Sequence, residues 1–170
     1  MAGQVASLHL HPAEAGAAMQ TAETFAVVQG KGVLGEPRYY GRISQRTGEP
    51  SKRQVSLIER EQIAQHAATL GLEGIPPGAV RANIETVGID LVALVGRQIQ
   101  IGEALLAIDS PRDPCARMDA ICQGLRRLME HNRQGVLAQV VRSGTIRIGD
   151  PILLVAQDPT MSPPRKRSER

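Results

Sequence analysis

The apolar positions of this chain fall mostly into short runs separated by turn residues. Thr24 to Val28, Ala79 to Ile84, Gln98 to Ile101, Ala104 to Ile108, Val136 to Val141, Thr145 to Ile148 and Ile152 to Ala156 are rich in Val, Ile and Leu. Gly102-Glu103, Ser143-Gly144 and Gly149-Asp150 punctuate them. Short apolar runs bounded by such turns predict strands. Val136 to Val141, Ser143-Gly144 and Thr145 to Ile148 together predict a hairpin. Gly30-Lys31-Gly32-Val33-Leu34-Gly35 has the spacing of a dinucleotide fingerprint, but Pro37 follows and no amphipathic helix does, so a turn is predicted.

Two stretches switch to a helical period. Ser56-Leu57-Ile58-Glu59 fits a capping box, in which a serine and a glutamate satisfy free backbone N–H groups. It predicts a helix from Ser56 through Ile63, Ala64, Ala67 and Leu70, stopping at Gly71. A second helix is predicted from Pro114 to Glu130. Met118, Ile121, Cys122, Leu125, Leu128 and Met129 form one apolar stripe along it. The pattern as a whole is mainly β: a small barrel or sandwich with two helices packed on it. Residues 1–22 show no clear period and read as a loose arm. Residues 158–170 mix proline and charge and read as a disordered basic tail. The folded body is expected over residues 23–157.

Composition narrows the picture. At 170 residues with 42% apolar content, the chain can bury one core. No apolar run reaches the roughly 20 residues needed to cross a bilayer, and no basic-then-apolar leader opens the sequence. A cytoplasmic location is the expectation. The formal charge is +3, and Arg165, Lys166, Arg167 and Arg170 against Glu169 account for all of it. The body is therefore neutral. With one Phe, two Tyr and no Trp there is little to stack bases on. Nucleic-acid binding is disfavoured on both grounds.

Cys115 is the sharpest chemical feature. Asp113 is a good N-cap and Pro114 a good first helical residue, which puts Cys115 in a first helical turn. Free N–H groups and the helix dipole favour a thiolate there, and Arg112 and Arg117 add positive charge. A thiolate can ligate a metal or accept sulfur. The alternative is a buried cysteine acting as a small hydrophobe. That suits Cys122, on the apolar stripe, better than Cys115 in a loop of Pro, Arg and Asp. Seven residues separate the two cysteines, so they form no CxxC pair.

Arg81 and Asn83, two apart on a predicted strand, share a face and could hold an anion or a heterocycle edge. A solvated polar surface is the simpler reading of that spacing. Arg46, Lys52 and Arg53 precede the predicted first helix and could seat a phosphate, or simply be solvated. The histidines show no zinc spacing. His9 and His11 fall in the arm, and His66 and His131 on helix surfaces or boundaries.

Taken in order, these segments resemble the MOSC family, the C-terminal domain of molybdenum-cofactor sulfurases. The match runs from about Thr24 to Val155. It includes Gly32-Val33-Leu34-Gly35, Arg53-Gln54-Val55-Ser56-Leu57-Ile58, Pro77-Gly78-Ala79-Val80-Arg81-Ala82-Asn83-Ile84 and Gly88-Ile89-Asp90-Leu91. It continues through Ile101-Gly102-Glu103-Ala104 and Arg112-Asp113-Pro114-Cys115-Ala116-Arg117-Met118, and ends on Gly144-Thr145-Ile146-Arg147-Ile148-Gly149-Asp150.

The resemblance implies a compact β-barrel-like domain with peripheral helices. It implies a bound molybdenum pyranopterin cofactor with Cys115 as molybdenum ligand, or a persulfide carried on Cys115. It implies cofactor contacts from Arg53, Arg81, Asn83, Asp113 and Arg117. The expected activity is reduction of N-hydroxylated compounds, with electrons from a separate donor protein. A metal-free sulfur carrier served by a sulfur-donor protein, or a non-catalytic binding module, are the alternatives. Family links to pyridoxal phosphate find no Schiff-base candidate among Lys31, Lys52 and Lys166. The family's acidic place after the early glycines is Glu36 here, and Pro37 separates it from Arg38.

Overall fold

Alternation along the strands decides the architecture. Strands β1 (Gly3–Leu10), β2 (Gln20–Ala22), β3 (Thr24–Val28), β4 (Gly32–Val33) and β5 (Val55–Glu59) come first. Helix α1 (Arg60–Thr69), strand β6 (Ile84–Val87), a 3-10 turn at Val92–Leu94, β7 (Gln98–Ile101) and β8 (Ala104–Pro111) follow. The chain ends in α2 (Arg117–Ile121), α3 (Leu125–Met129), β9 (Val136–Arg142), β10 (Gly144–Arg147) and β11 (Pro151–Leu154). This computed structural model describes residues 3–156. The basic tail expected from residue 158 lies outside the described residues.

Every second residue of the main strands points inward. Ile99 and Ile101, Leu106 and Ile108, and Val136, Ala138 and Val140 all join one buried cluster with Val55, Leu57 and Ile84. Burial of side chains this large contributes about 1.5–3 kcal/mol each. Strands β1, β6, β5, β9, β8, β7 and β11 pair in that order, and β11 returns to β1. The sheet closes into a seven-stranded barrel, which removes its edges. Gly3 opposite Ile152 and Gln4 opposite Pro151 make the closure. A second sheet, β10-β3-β4, supplies Phe25, Val27, Val33 and Ile146 to the same interior. The expected mainly β, barrel-like fold with peripheral helices is what the chain forms.

Within the barrel, β5 and β6 are parallel and the other neighbours antiparallel. A parallel pair needs a long crossover. Here α1 and residues 70–83 provide it on the outer wall. Ile58, facing away from the interior, packs there with Ile63, Ala67, Ile75, Val80, Ala82, Met118, Leu125 and Met129. This second core attaches the helices to the barrel.

Several expectations are corrected. Ser56 is not a helix cap but lies within β5, because Val55–Glu59 is paired on both sides, by β9 and by β6. Helix α1 starts one turn later, after Glu59, with no side-chain cap. The single helix expected over 114–130 is two short ones. Cys122 is extended, with φ −156°, and Gly124 is left-handed, with φ +94°. The Asp119 carboxylate accepts the N–H groups of Gly124 and Arg126 and so starts α3. The buried part of the stripe survives as Met118, Leu125 and Met129.

Where it is described, the loose arm expected over residues 1–22 instead contributes two strands, β1 and β2, with turns and bends between them. Val5 and Leu8 fill the barrel, and a register shift between Val5 and Ser7 breaks the alternation that would have revealed the strand. His9 is fully buried, and so is His66. The expected β9–β10 hairpin does not form. Strand β9 pairs with β8 and β5, whereas β10 pairs with β3. The predicted strand over 79–84 is mostly a turn, with Arg81 at φ +64° and β6 beginning only at Ile84.

Gly135 is a fixed point of this packing. Its φ is +75°, and a Cβ there would come within 2.0 Å of the Leu57 carbonyl oxygen. Gly135→Ala is expected to destabilise the fold by about 3 kcal/mol or more in urea unfolding, from strain and overlap with backbone that has no room to move. A loss below about 0.5 kcal/mol would show that β5 and this turn do not pack as described.

His66 donates from Nε2 to the Arg133 carbonyl at 2.9 Å. Burial pushes its pKa below the ordinary 6.5, against the pull of that hydrogen bond. The unfolded chain therefore binds more protons than the folded one near and below pH 6.5. Stability is full above that value and falls as the solution is acidified through it. His66→Gln should flatten the slope of unfolding free energy between roughly pH 6.5 and 5. An unchanged slope would remove His66 as its source.

Candidate functional site

The outward face of β5 carries the polar residues that the barrel interior excludes. Ser56 points away from the interior and meets Asn83, just ahead of β6. The Asn83 Oδ1 accepts from the Ser56 amide at 3.0 Å and from Ser56 Oγ at 3.1 Å. Its Nδ2 donates to the His9 carbonyl at 3.1 Å and to Glu36 Oε1. Two donors and two acceptor positions are all an amide side chain has. Asn83 is thus fully occupied within the protein. It organises the cleft instead of offering a free contact, as the sequence had suggested.

Glu36 is buried, and its second oxygen lies 2.8 Å from His11 Nδ1. The His11 ring leans on Tyr39 at 4.6 Å between centroids, and the Arg38 guanidinium lies 5.3 Å from the centroid of the same Tyr39 ring. His11, Glu36, Tyr39, Arg53, Gln54, Ser56, Asn83, Arg112 and Leu137 line one cleft on the outer wall.

Arg112 is the best-anchored cation in it. Its amide donates to the Gly135 carbonyl at 3.0 Å. Its guanidinium donates to the carbonyls of Val80 and Arg81, each at 3.2 Å. Burial pulls its pKa down to about 10, and Arg53 and Arg81 push the same way, while the Cys115 and Tyr39 side chains oppose the shift. It therefore remains charged at neutral pH.

Arg81 sits on the turn that supplies those carbonyls. Its left-handed backbone is uncommon for a non-glycine residue and costs about 1 kcal/mol. Its Nη1 donates to the Ala17 carbonyl at 2.8 Å, while its Nη2 is buried without a partner. Burial lowers its pKa first, then Arg117 and Arg38, with Tyr39 and Cys115 opposing. The turn is anchored below by Glu85. That fully buried carboxylate accepts the Gly78 amide at 2.7 Å and pairs with Arg60.

Arg38, Arg53, Arg81, Arg112 and Arg117 thus converge on one region. Among the described residues, none of the five has a carboxylate within 4.0 Å; the ion pairs there involve His9, His11, Lys52 and Arg60. For the partly buried guanidinium groups of Arg38, Arg81 and Arg112, the lack of a neutralising anion is costly. Chemically, the cleft is arranged to receive a negatively charged oxygen-rich group.

Cys115 is exposed on the loop between β8 and α2. The expected first-turn placement is not found, since α2 starts only at Arg117 and spans five residues. What remains is proximity to cations: its charge acts on both Arg81 and Arg112. Asp113 is exposed and does not cap α2, whose N-cap is Ala116. Arg53 and Arg117 are exposed at the cleft and at the start of α2. His11, Glu36, Arg38 and Tyr39 were not anticipated as site residues. The sequence signal for two of them was the family's acidic and basic places after the early glycines, Glu36 and, beyond Pro37, Arg38. Among the described residues, no group of three or more His, Cys, Asp or Glu could hold a metal. A metal at Cys115 would need most of its ligands from a cofactor. Among the same residues, no helix is long and apolar enough to cross a membrane.

Fold and cleft together define a small closed-barrel domain with peripheral helices and a cationic cleft on its outer wall. The chain belongs to the MOSC family: the MOSC domain model matches residues 16–153. That family is associated with molybdenum-cofactor binding. Among solved structures, the YuaD protein of Bacillus subtilis is similar, with a TM-score of 0.76 and 21% identity over 92% of this chain and 98% of that one. YiiM from Geobacillus stearothermophilus is similar with a TM-score of 0.67 and 20% identity, over 91% of this chain and 75% of that one. YiiM from Escherichia coli gives 0.65 and 19%, over 93% and 71%. At these identities the likeness is one of fold. A search of the curated proteins finds no match.

The two cysteines separate by accessibility. Cys115 is exposed, while Cys122 is half-buried with its Sγ 3.8 Å from the Gln123 carbonyl. Iodoacetamide at neutral pH should label Cys115 several-fold faster than Cys122, read by peptide mass spectrometry. Equal rates would contradict the placement of both.

Proposed function

We propose that this protein binds the molybdenum pyranopterin cofactor in the arginine cleft, with Cys115 as its thiolate ligand to molybdenum, and reduces N-hydroxylated compounds. The observation that carries the reading is a set of five arginines at the cleft without a carboxylate partner, two of which, Arg81 and Arg112, lie close enough to Cys115 to feel its side chain. The group fits that donor set. Phosphate and dithiolene are anionic, and the partnerless Nη2 of Arg81 and Nη1 of Arg38 are donors awaiting an acceptor. A soft thiolate suits the metal.

Arg112 and Arg81, fixed by backbone carbonyls, would hold the anionic end. Arg38, Arg53 and Arg117 would add charge from the solvent side. Asn83 acts through Ser56 and Glu36 by fixing the cleft wall. Asp113, beside Cys115, would meet the cofactor from the exposed loop. When bound, the cofactor supplies the oxygen-transfer and electron-transfer chemistry. Electrons would come from a separate donor protein. The exposure of Cys115 also favours a second reading, a metal-free sulfur carrier holding a persulfide on that thiol and loaded by a sulfur-donor protein.

The test is molybdenum by elemental analysis and pterin by fluorescence after oxidation, on protein made in a cofactor-producing host. The wild type should carry both near stoichiometry. Cys115→Ser should lose molybdenum, and Arg81→Ala or Arg112→Ala should weaken retention by about 1–3 kcal/mol, the scale of a lost charge-assisted hydrogen bond. Wild-type protein left empty where a control protein loads would reject the cofactor reading, and detection of a persulfide on Cys115 would then install the second.

A further inference from the structure

We propose that His11, held by Glu36, is the proton-carrying contact of the cationic cleft: its Nε2 meets one oxygen of a bound divalent oxoanion, and binding takes up a proton there. The proposal rests on the reading of the cleft as an anion site and adds a residue to it.

Two contacts hold the ring, and one of them is itself braced. Nδ1 lies 2.8 Å from a Glu36 oxygen. The other Glu36 oxygen is fixed by Asn83 Nδ2. The ring face rests on Tyr39 at 4.6 Å. A carboxylate is an acceptor, so Nδ1 must carry a hydrogen. In the neutral ring Nε2 is then the bare nitrogen. Among the described residues Nε2 has no protein partner, nor is it among the polar atoms sealed from solvent without one. The side chain keeps 12% exposure, and His11 lines the cleft. An imidazole oriented by a buried carboxylate, with its far nitrogen open to a guanidinium-lined cleft, is placed to bond a ligand.

The sign of the coupling follows from the lone pair. Neutral Nε2 turns electron density toward an incoming oxyanion. The protonated ring turns an N–H toward it, adding a charge-assisted hydrogen bond. Anion and proton therefore bind together, and each raises the affinity for the other. The charged and titratable groups around His11 support this assignment. The segment before β5 contributes Glu36, Arg38, Tyr39 and Arg53. The β8–α2 loop contributes Arg112, with Cys115 and Arg117 further out, and the 78–81 turn contributes Arg81. Strand β1 adds only buried His9, which is engaged with Ser7 and Glu85. The arginines stay charged at neutral pH. Histidine is in general the side chain that exchanges a proton near neutral pH.

Free sulfate is the probe, because its charge is constant between roughly pH 5.5 and 8. Its binding would be followed by calorimetry on the wild type, His11→Gln and Arg112→Ala. Wild-type affinity should fall about tenfold across that range, the scale expected when one linked proton is lost. His11→Gln should bind with a flat profile near the wild-type level at high pH. Arg112→Ala should bind more weakly at every pH. A His11→Gln profile as steep as the wild type overturns the proposal. Should that variant not fold, the ring 15N shifts of wild-type His11 on adding sulfate decide it, with buried His66 as the unresponsive control. A shift confined to His11 supports the proposal, and no shift on saturation overturns it. If sulfate fails to bind the wild type, or Arg112→Ala binds it unchanged, the anion cleft itself is wrong. If only the pH slope survives in His11→Gln, the cleft stands and the role of His11 falls.

Discussion

The side chain of Asn83 joins four separate parts of the chain, and the cleft depends on that junction. Its amide bonds β5 through Ser56, β1 through the His9 carbonyl and the loop after β4 through Glu36, from a position just ahead of β6. Each of these contacts is buried, so none competes with water. An aspartate could not donate to Glu36 and would place two carboxylates together. An alanine would take away the side-chain partner of the Ser56 amide, of the His9 carbonyl and of one Glu36 oxygen. The barrel wall, the segment after β1 that carries His11 and the loop after β4 that carries Arg38 and Tyr39 are thereby held in one register.

A similar logic holds the cations. Arginine needs its donors satisfied when it leaves water. Here backbone carbonyls satisfy Arg112 in part without neutralising it. The carbonyls come from Val80 and Arg81, on a turn kept in place by the buried Glu85. Glu85 itself is balanced by Arg60 on the far side of the same wall. The Glu85 carboxylate thus sits in the support, while the Arg112 guanidinium is left to the cleft. A carboxylate beside Arg112 would make the fold easier to build and leave nothing for a ligand to do.

Much of the barrel was legible in the sequence, because β7, β8, β9 and β11 keep simple alternation between turn residues. The parts that were misread share a cause: a local signal outweighed by a tertiary one. Ser56 to Glu59 looks like a capping box but has strands waiting on both sides. In β1 a register shift splits the apolar positions. The stripe over 114–130 is real, yet Gly124 and Asp119 divide the helix beneath it. Cys115, Arg53 and Arg81 were readable as candidates, since charge and a thiol stand out in a loop. His11 and Glu36 were hidden because their meaning lies in each other, 25 residues apart. Arg112 was read only as added charge, since the carbonyls that fix it lie about thirty residues upstream.

The closure of the barrel carries a consequence for how the chain reaches its fold. Strand β1 finds its barrel partners at β6 and at β11, near the other end of the described chain. Few of its contacts are local. A chain emerging from the ribosome can pair β1 with β2 and β6 early, but leaves its Gly3–Gln4 end without a partner until β11 has been made. The entropy of closing so long a loop grows only slowly with length, but it must be overcome before any closing contact forms. Barrel assembly is accordingly a late and slow event. Of the described barrel strands, β1 is the one whose last partner lies farthest from it along the chain, and its Gly3–Gln4 end is the part left open to a neighbouring chain until that partner is made.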